Sequence, residues 1–231
     1  MKESSRASSR LKYCLQVAGE TLPKKIIFTA QAVMNYLMIG CWLKTHGFSA
    51  AKRVRRRIDV YRNVRSNVSE PILYLEFGVY NGQSMREWSA LLDHPDSRLI
   101  GFDSFEGLPE DFDFTHKMLK GKLNMKGRIP EIEDTRITFI KGWFEETLPS
   151  FTAPRHTQLV VNIDCDLYSA TKAVLGSLAN LIKPGTILIF DDMSQIPHEP
   201  TAFSEFLRDT GKSFSLTVAS FEDVFAFKCI E

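Results

Sequence analysis

Four acidic residues of this chain lie at or directly after the ends of short apolar runs. They are Glu76, Asp103, Asp164 and Asp191. In an open parallel sheet, ligands bind beyond the carboxyl ends of the strands, where the strand order reverses. If the apolar runs are such strands, the four carboxylates lie at one edge of the sheet and are candidate ligand contacts.

The first two carboxylates fit a site for a nucleoside. Glu76 belongs to the run LYLEFGVYNGQS, which also contains Gly78 and Gly82, and Asp103 ends the next apolar run. The turn has G-x-x-x-G spacing and lacks the G-x-G-x-x-G that binds a pyrophosphate. A nucleoside with a charged amino-acid tail is therefore favoured over a dinucleotide. Alternatively, the two glycines only form a tight strand-to-helix turn, and Asp103 caps the turn after its own strand.

A second acidic group suggests a metal site. Asp164 and Asp166 would project from the same side of an extended segment, because side chains alternate along it. Asp191 and Asp192 follow a later apolar run, and they would converge with Asp164 if the two strands are neighbours in the sheet. Unpaired carboxylates repel one another, and a hard divalent cation such as Mg²⁺ would resolve this. Alternatively, Asp191 and Asp192 cap a loop and Asp166 caps the following helix.

Such a cation would suit chemistry at an alcohol. A hydroxyl group is too weak an acid to be a good nucleophile at neutral pH. Coordination to Mg²⁺ stabilises its alkoxide, and a nearby carboxylate can take the proton. The acidic group therefore predicts a site that activates a hydroxyl.

Composition narrows the class of protein. The chain has 231 residues, of which 44% are apolar and 25% charged, and its net charge is +1. This suits one globular domain and provides no electrostatic reason to expect a nucleic-acid partner. The four cysteines lie far apart without C-x-x-C spacing, which indicates a reducing, cytoplasmic environment.

The apolar runs predict the fold. Five of them alternate with helical patterns, and Gly, Pro or acidic residues follow them. They are residues 72–76, 98–102, 136–140, 158–163 and 186–190, with helices at 83–92 and 168–182. Two closely spaced runs at 214–219 and 224–229 predict a terminal antiparallel hairpin. The fold class is α/β: a mostly parallel sheet covered by helices on both faces. Residues 106–135 form an excursion over the site.

The N-terminal part is predicted to be a helical extension over 1–69. Residues 1–12 are expected to be disordered because they are rich in Ser, Lys and Arg. The uncharged stretch 26–43 predicts a helix buried against the domain or a partner subunit, which favours a homodimer over a membrane anchor. Residues 51–65 read as a basic amphipathic helix with a solvated face that includes Arg57.

Five segments together resemble a known family. They are LEFGVYNGQS (75–84), GFDSFEGLPE (101–110), GWFEETLP (142–149), VNIDCDLYSAT (161–171) and the doublet Asp191-Asp192. Over residues 70–231 the chain resembles the class I methyltransferases that use S-adenosylmethionine, and more narrowly the macrocin O-methyltransferase family, which methylates sugar hydroxyls on natural products. The resemblance implies a Rossmann-like sheet and an O-methyltransferase activity on a sugar or related small molecule.

The resemblance also implies roles for individual residues. Those implied at the methionine end of the cofactor are Glu76, Phe77, Gly78, Val79, Gly82 and Ser84. Asp103 would bind the ribose with Ser104 beside it, and Trp143 would border the adenine. The implied metal ligands are Asp164, Asp191 and Asp192. Asp166 is the implied base, and Asp164 joins it as a catalytic residue.

The sequence departs from the family after the doublet, where residues 193–198 read MSQIPH. The third ligand and the acceptor are therefore left open. His198 is an alternative base, whereas Glu199 and Glu205 are expected to be solvated.

Three other functions are compatible with the pattern. A catechol-type enzyme would use the same three carboxylates to chelate two adjacent oxygens. A dinucleotide-dependent oxidoreductase is disfavoured by the missing glycine and by the lack of a Tyr-x-x-x-Lys pair. A non-catalytic binding or scaffold protein could keep the fold, since fold does not determine function.

Overall fold

A computed structural model describes residues 2–48, 51–111 and 119–231, with side chains from Ser9 onward. The helices are α1 (Lys2–Thr21), α2 (Lys24–Thr45), α3 (Arg57–Ser66), α4 (Gln83–Leu91), α5 (Phe144–Thr147), α6 (Tyr168–Leu178) and α7 (Glu199–Thr210). The strands are β1 (Lys52–Val54), β2 (Ile72–Phe77), β3 (Arg98–Asp103), β4 (Ile137–Lys141), β5 (Gln158–Ile163), β6 (Ile187–Phe190), β7 (Phe214–Ser220) and β8 (Phe225–Cys229).

The eight strands form one sheet in the order β1-β7-β8-β6-β5-β2-β3-β4. All neighbouring pairs are parallel except those that involve β8, which runs antiparallel to β6 and β7. The predicted α/β class and the C-terminal hairpin are confirmed. Since β2 lies between β3 and β5, the chain reverses direction across the sheet there, and the carboxyl ends of these strands form the crevice where a ligand binds.

Both faces of the central strands are buried, as their continuous apolar runs predict. One face packs against α3 and α4, where Tyr61 and Tyr74 contact the ring of Trp88 with centroids 5.4 and 4.7 Å away. The other packs against α6, α7 and the C-terminal end of α2, around Phe190 and Phe203. The sheet is therefore a rigid platform for the residues at its edge.

Residues 51–65 differ from the single helix that the sequence predicts. Lys52–Val54 forms the edge strand β1, which pairs in parallel with residues 218–220 of β7, and α3 begins only at Arg57. Three residues with two exposed basic side chains have no strand pattern of their own, so pairing with β7 decides their conformation. Part of the predicted extension over 1–69 thus joins the sheet.

The N-terminal helices lie mostly outside the core. Helix α1 covers residues 2–21, where the sequence predicts disorder over 1–12. Among the described residues, α2 is the one helix long and apolar enough to cross a membrane, by length and composition alone, with a mean hydropathy of 1.5 and 11% of its best window buried. Only Ile39 and Leu43 of α2 are buried. The predicted homodimer through 26–43 stays a prediction.

Candidate active site

A cavity of about 230 Å³ opens at the carboxyl edge of the sheet. Its walls come from the ends of β2, β3, β5 and β6, from the start of α3, and from the loop after β3. The sequence-predicted residues that line it are Gly78, Asp103, Ser104, Trp143, Asp164, Asp166 and Asp191. The topology therefore brings together residues from both predicted groups.

Gly78 lets the neighbouring strands β2 and β5 approach each other closely at their carboxyl ends. Its φ is +91°, and a Cβ added there would lie 1.8 Å from the carbonyl oxygen of Asp164. The Asp164 N–H donates to the Phe77 carbonyl at 2.9 Å, and the Gly78 N–H donates to the Phe102 carbonyl at 3.0 Å. Gly78 thus lies between two ends of the cavity. The end lined by Asp103, Ser104 and Trp143 is the nucleoside-like end, and the end lined by Asp164, Asp166 and Asp191 is the acidic end.

Asp103 is held by backbone groups. Its Oδ2 accepts the N–H groups of Val79 and Tyr80 at 2.8 and 2.7 Å, and its Oδ1 accepts the N–H of Phe105 at 2.6 Å. Asp103 thus caps the turn after its strand and also lines the cavity. Each carboxylate oxygen has two acceptor positions, and three of the four are used, so Oδ1 can still accept one hydroxyl donor from a ligand.

Glu76 lies beneath the turn and is fully buried. It accepts hydrogen bonds from Tyr74 Oη at 2.5 Å and Ser84 Oγ at 2.7 Å. Burial raises its pKa to about 8. Glu76 and Ser84 support the turn from below. The predicted cofactor residues absent from the lining of this cavity are Glu76, Phe77, Val79, Gly82 and Ser84.

The remaining walls are aromatic and aliphatic. Trp143 is half-buried and immediately precedes α5. Leu108 and Leu123 come from the loop after β3, whose two arms are joined by a hydrogen bond from Leu108 N–H to the Lys122 carbonyl at 2.9 Å. The predicted excursion over 106–135 thus contributes to the cavity, although its residues 112–118 lie outside the described part.

Asp166 reaches the site by a turn, not by the extended segment that the sequence suggests. Its φ is +60°, and the Leu167 N–H donates to the Cys165 carbonyl at 2.6 Å around it. Left-handed backbone at a residue other than glycine is strained and is often found at functional sites. Nor does Asp166 cap α6, because the cap position belongs to Leu167. Asp164 and Asp166 nevertheless both line the cavity.

Arg57 joins this site although the sequence places it on a solvated face. Its Nη1 lies 3.3 Å from Asp191 Oδ2 and 3.8 Å from Asp164 Oδ2. Among the described residues that line the cavity, it is the one with a basic side chain. The pairing of β1 with β7 brings Arg57 here, because the chain leaves β1 at the carboxyl edge of the sheet. The basic run in the sequence does not reveal which arginine turns inward.

The other carboxylates of the cluster interact with one another. Asp166 donates a hydrogen bond to Asp192, and burial together with the charge of Asp192 raises the pKa of Asp166 to about 8. Glu199 is fully buried and accepts the Asp192 N–H at 3.0 Å, so the expectation that it is solvated is wrong. Glu199 is buried because it lies in the first turn of α7, and the sequence pattern around residues 193–198 does not predict where that helix begins or which way it faces.

The magnesium site is not borne out by this geometry. Among the residues that the structure describes, no group of three or more His, Cys, Asp or Glu is placed to hold a metal ion. The predicted ligands are divided, because Asp164 and Asp191 face Arg57 while Asp192 faces Asp166. Arg57 thus supplies positive charge beside two of the carboxylates whose repulsion the sequence argument assigned to a metal.

Comparison with known proteins agrees with the fold and the motifs. A family model described as Macrocin-O-methyltransferase matches residues 46–218. The chain is 32% identical over 136 residues to the 8-demethyl-8-(2,3-dimethoxy-alpha-L-rhamnosyl)-tetracenomycin-C 4'-O-methyltransferase of Streptomyces olivaceus, covering 51% of each chain. It is 30% identical over 150 residues to the demethyldecarbamoylnovobiocin O-methyltransferase of Streptomyces niveus, covering 57% of this chain and 56% of that one. The chain thus spans about half the length of the curated relatives it matches.

Solved structures show the same fold. The calicheamicin methyltransferase CalS11 has a TM-score of 0.58 at 20% identity, with 99% of this chain and 93% of that chain covered. The O-methyltransferase NovP has a TM-score of 0.54 at 21% identity, with 87% and 100% covered. The sheet is thus that of a class I, Rossmann-like methyltransferase. Because the family model covers more than half of the chain, the protein belongs to the macrocin O-methyltransferase family.

Proposed function

We propose that this protein transfers a methyl group from S-adenosylmethionine to a hydroxyl of a sugar or related small molecule. The observation that carries the proposal is the single cavity that joins the anchored Asp103 to Asp164 and Asp166. Membership of the family and the names of the relatives, which are O-methyltransferases, support the same activity.

The residues fit a nucleoside cofactor with a positive charge. We assign a ribose hydroxyl to the remaining acceptor position of Asp103, with Ser104 beside it, and the adenine to the wall made by Trp143. Gly78 lines the cavity at the methionine end, and Glu76 and Ser84 support this end from beneath. The acidic side chains around Asp164 suit a cation. When bound, S-adenosylmethionine supplies a methyl group activated by its sulfonium.

The chain's own contribution to the chemistry is to orient a hydroxyl and remove its proton. Asp166 faces the cavity, and in its deprotonated form it can take the proton of the hydroxyl; its pKa of about 8 makes that form available as the pH rises toward 8. The turn at Asp166 fixes where its carboxylate lies, and Asp192 provides a partner that shares its proton. The apolar residues Leu108, Leu123 and Leu167 line the cavity, and a bound acceptor packed against them would be shielded from water. Such alignment and exclusion of water account for much of the rate in transfer reactions.

Whether methyl transfer also requires Mg²⁺ is a separate question from whether the protein transfers a methyl group. A divalent ion held by Asp164, Asp191 and Asp192 would need these side chains to turn toward one point and Arg57 to leave two of them. No step above depends on such an ion. Methyl transfer measured in EDTA and in added Mg²⁺ separates the two possibilities, and a loss of turnover in EDTA that Mg²⁺ restores would establish metal dependence.

The first test is calorimetric titration of S-adenosylhomocysteine into the full chain, with and without Mg²⁺. We expect a dissociation constant on the order of micromolar, as for a cofactor site of this kind. Asp103→Asn should weaken this binding, and its matched control is Asp93→Asn, at a carboxylate whose side chain is 93% exposed. Absence of binding under both conditions would contradict the proposal and favour a scaffold protein. Transfer of a radiolabelled methyl group to glycosylated acceptors then tests the reaction itself.

A further inference from the structure

We infer that Arg57 occupies the position that a divalent cation would take between Asp164 and Asp191, and that such a cation binds there only by displacing the guanidinium. The inference uses the acidic end of the site assigned under the proposed function. Its test measures ion binding in the absence of cofactor, so it succeeds or fails independently of methyl transfer.

The contacts of Arg57 support this exchange. One nitrogen atom, Nη1, lies 3.3 Å from Asp191 Oδ2 and 3.8 Å from Asp164 Oδ2, so both carboxylates direct an oxygen at the same positive group. The second oxygen of Asp191, Oδ1, is buried and accepts no hydrogen bond from the described residues. A metal ion bound by the same oxygens would lie against the guanidinium. Two cations at such a distance repel each other in a site that is only partly exposed to water.

A second cavity offers the displaced guanidinium a place. It measures about 290 Å³, adjoins the first, and shares Arg57 and Asp191 with it as walls. Glu87 also lines it, and its Oε2 is buried with no hydrogen-bond partner among the described residues. The Arg57 N–H is held by Glu222 Oε2 at 2.8 Å. The side chain can therefore swing toward Glu87 while the backbone stays in place.

The test is a titration of Mn²⁺ into the purified full chain, followed by electron paramagnetic resonance of the free ion. While Arg57 lies between the two aspartates, the site is closed to Mn²⁺. If the site is open in only a fraction of the molecules, removing Arg57 raises the apparent Mn²⁺ affinity by the inverse of that fraction. We therefore expect Arg57→Gln to bind Mn²⁺ about tenfold more tightly than the wild type, or more. Arg62→Gln removes the same charge from the same helix at an arginine that is 57% exposed and paired with Asp59, and should behave like the wild type.

Unchanged or weaker Mn²⁺ binding in a folded Arg57→Gln protein would overturn the inference. So would an equal gain in Arg62→Gln, because the effect would then be one of net charge. Glu87→Gln provides a second variant if Arg57→Gln does not fold. Without the Glu87 carboxylate to receive its guanidinium, Arg57 should remain between the two aspartates, and Mn²⁺ binding should weaken by about threefold or more. Tighter or unchanged binding in Glu87→Gln would contradict the exchange.

Discussion

Asp103 and Asp191 are both carboxylates at the same edge of the sheet, but different kinds of neighbour hold them. Asp103 accepts three backbone N–H groups from the turns after β2 and β3. Asp191 pairs with the side chain of Arg57, which lies 134 residues earlier in the chain. Backbone donors are present whatever the side chains are, whereas the arginine arrives only when the edge strand β1 pairs correctly. The nucleoside-like end is therefore organised by backbone groups at the ends of two adjacent strands, and the acidic end depends on a side chain from a distant part of the chain.

This difference assigns different tasks to the two ends. A carboxylate anchored by backbone donors is preorganised for binding, since little freedom is lost when a ligand arrives. Carboxylates held by one arginine and a shared proton can exchange partners, which suits an end where a proton is moved. Four substitutions test this comparison.

The largest effect is expected from Asp164→Asn at the acidic end. The substitution keeps the shape of the side chain but removes a carboxyl group that lines the cavity, so we expect turnover to fall about 10²- to 10³-fold. The affinity for S-adenosylhomocysteine should be mostly retained. Steady-state kinetics and calorimetry measure the two quantities, and unchanged turnover would contradict the catalytic assignment of the acidic end.

Gly78→Ala should disrupt the junction between the two ends. Its Cβ would collide with the Asp164 carbonyl, and its φ of +91° is strained for alanine. We expect the free energy of unfolding to fall by about 3 kcal/mol or more in denaturant titrations. Gly176→Ala is the matched control, because nothing lies within 4 Å of its added Cβ and the residue is helical. A similar loss in both variants would refute the close approach at Gly78.

Asp103→Asn should weaken binding at the nucleoside-like end. Hydrogen bonds to a charged group contribute about 1.5–3 kcal/mol, so we expect a loss of S-adenosylhomocysteine affinity of roughly tenfold to a hundredfold. Turnover at saturating cofactor should change less than in Asp164→Asn. If Asp103→Asn instead lowers turnover and leaves affinity unchanged, the division of tasks between the two ends is wrong.

The smallest effect concerns Glu76, beneath the nucleoside-like end. Its pKa is raised from 4.5 to about 8 by burial, so between these values the folded protein holds a proton that the unfolded chain has lost. Stability should therefore fall as pH rises from about 5 to about 8. Glu76→Gln carries no titrating group and should lose this slope. Urea titrations at pH 5 and pH 8 compare the two proteins, and equal slopes would show that Glu76 does not titrate as stated.

The strands and the turns after them were predictable because their signals are local. Residues 158–163 have the predicted bounds, and the other central strands differ by one residue at an end. The predicted sites at Gly78 and Asp103 line the cavity because each follows its own strand. Asp166 lines it too, although through a turn that the alternation of an extended strand could not anticipate.

By itself, the sequence determined the parallel sheet, the C-terminal hairpin, the family and the strand ends that meet at the cavity, since apolar runs and turn residues specify these over a few neighbours. Only the tertiary structure decided that Arg57 turns inward, that Glu199 is buried, and that the carboxylates separate into two groups. These outcomes depend on the pairing of β1 with β7 and on the burial of the first turn of α7. Both bring together residues far apart in the chain, and no local pattern encodes which charges will become neighbours.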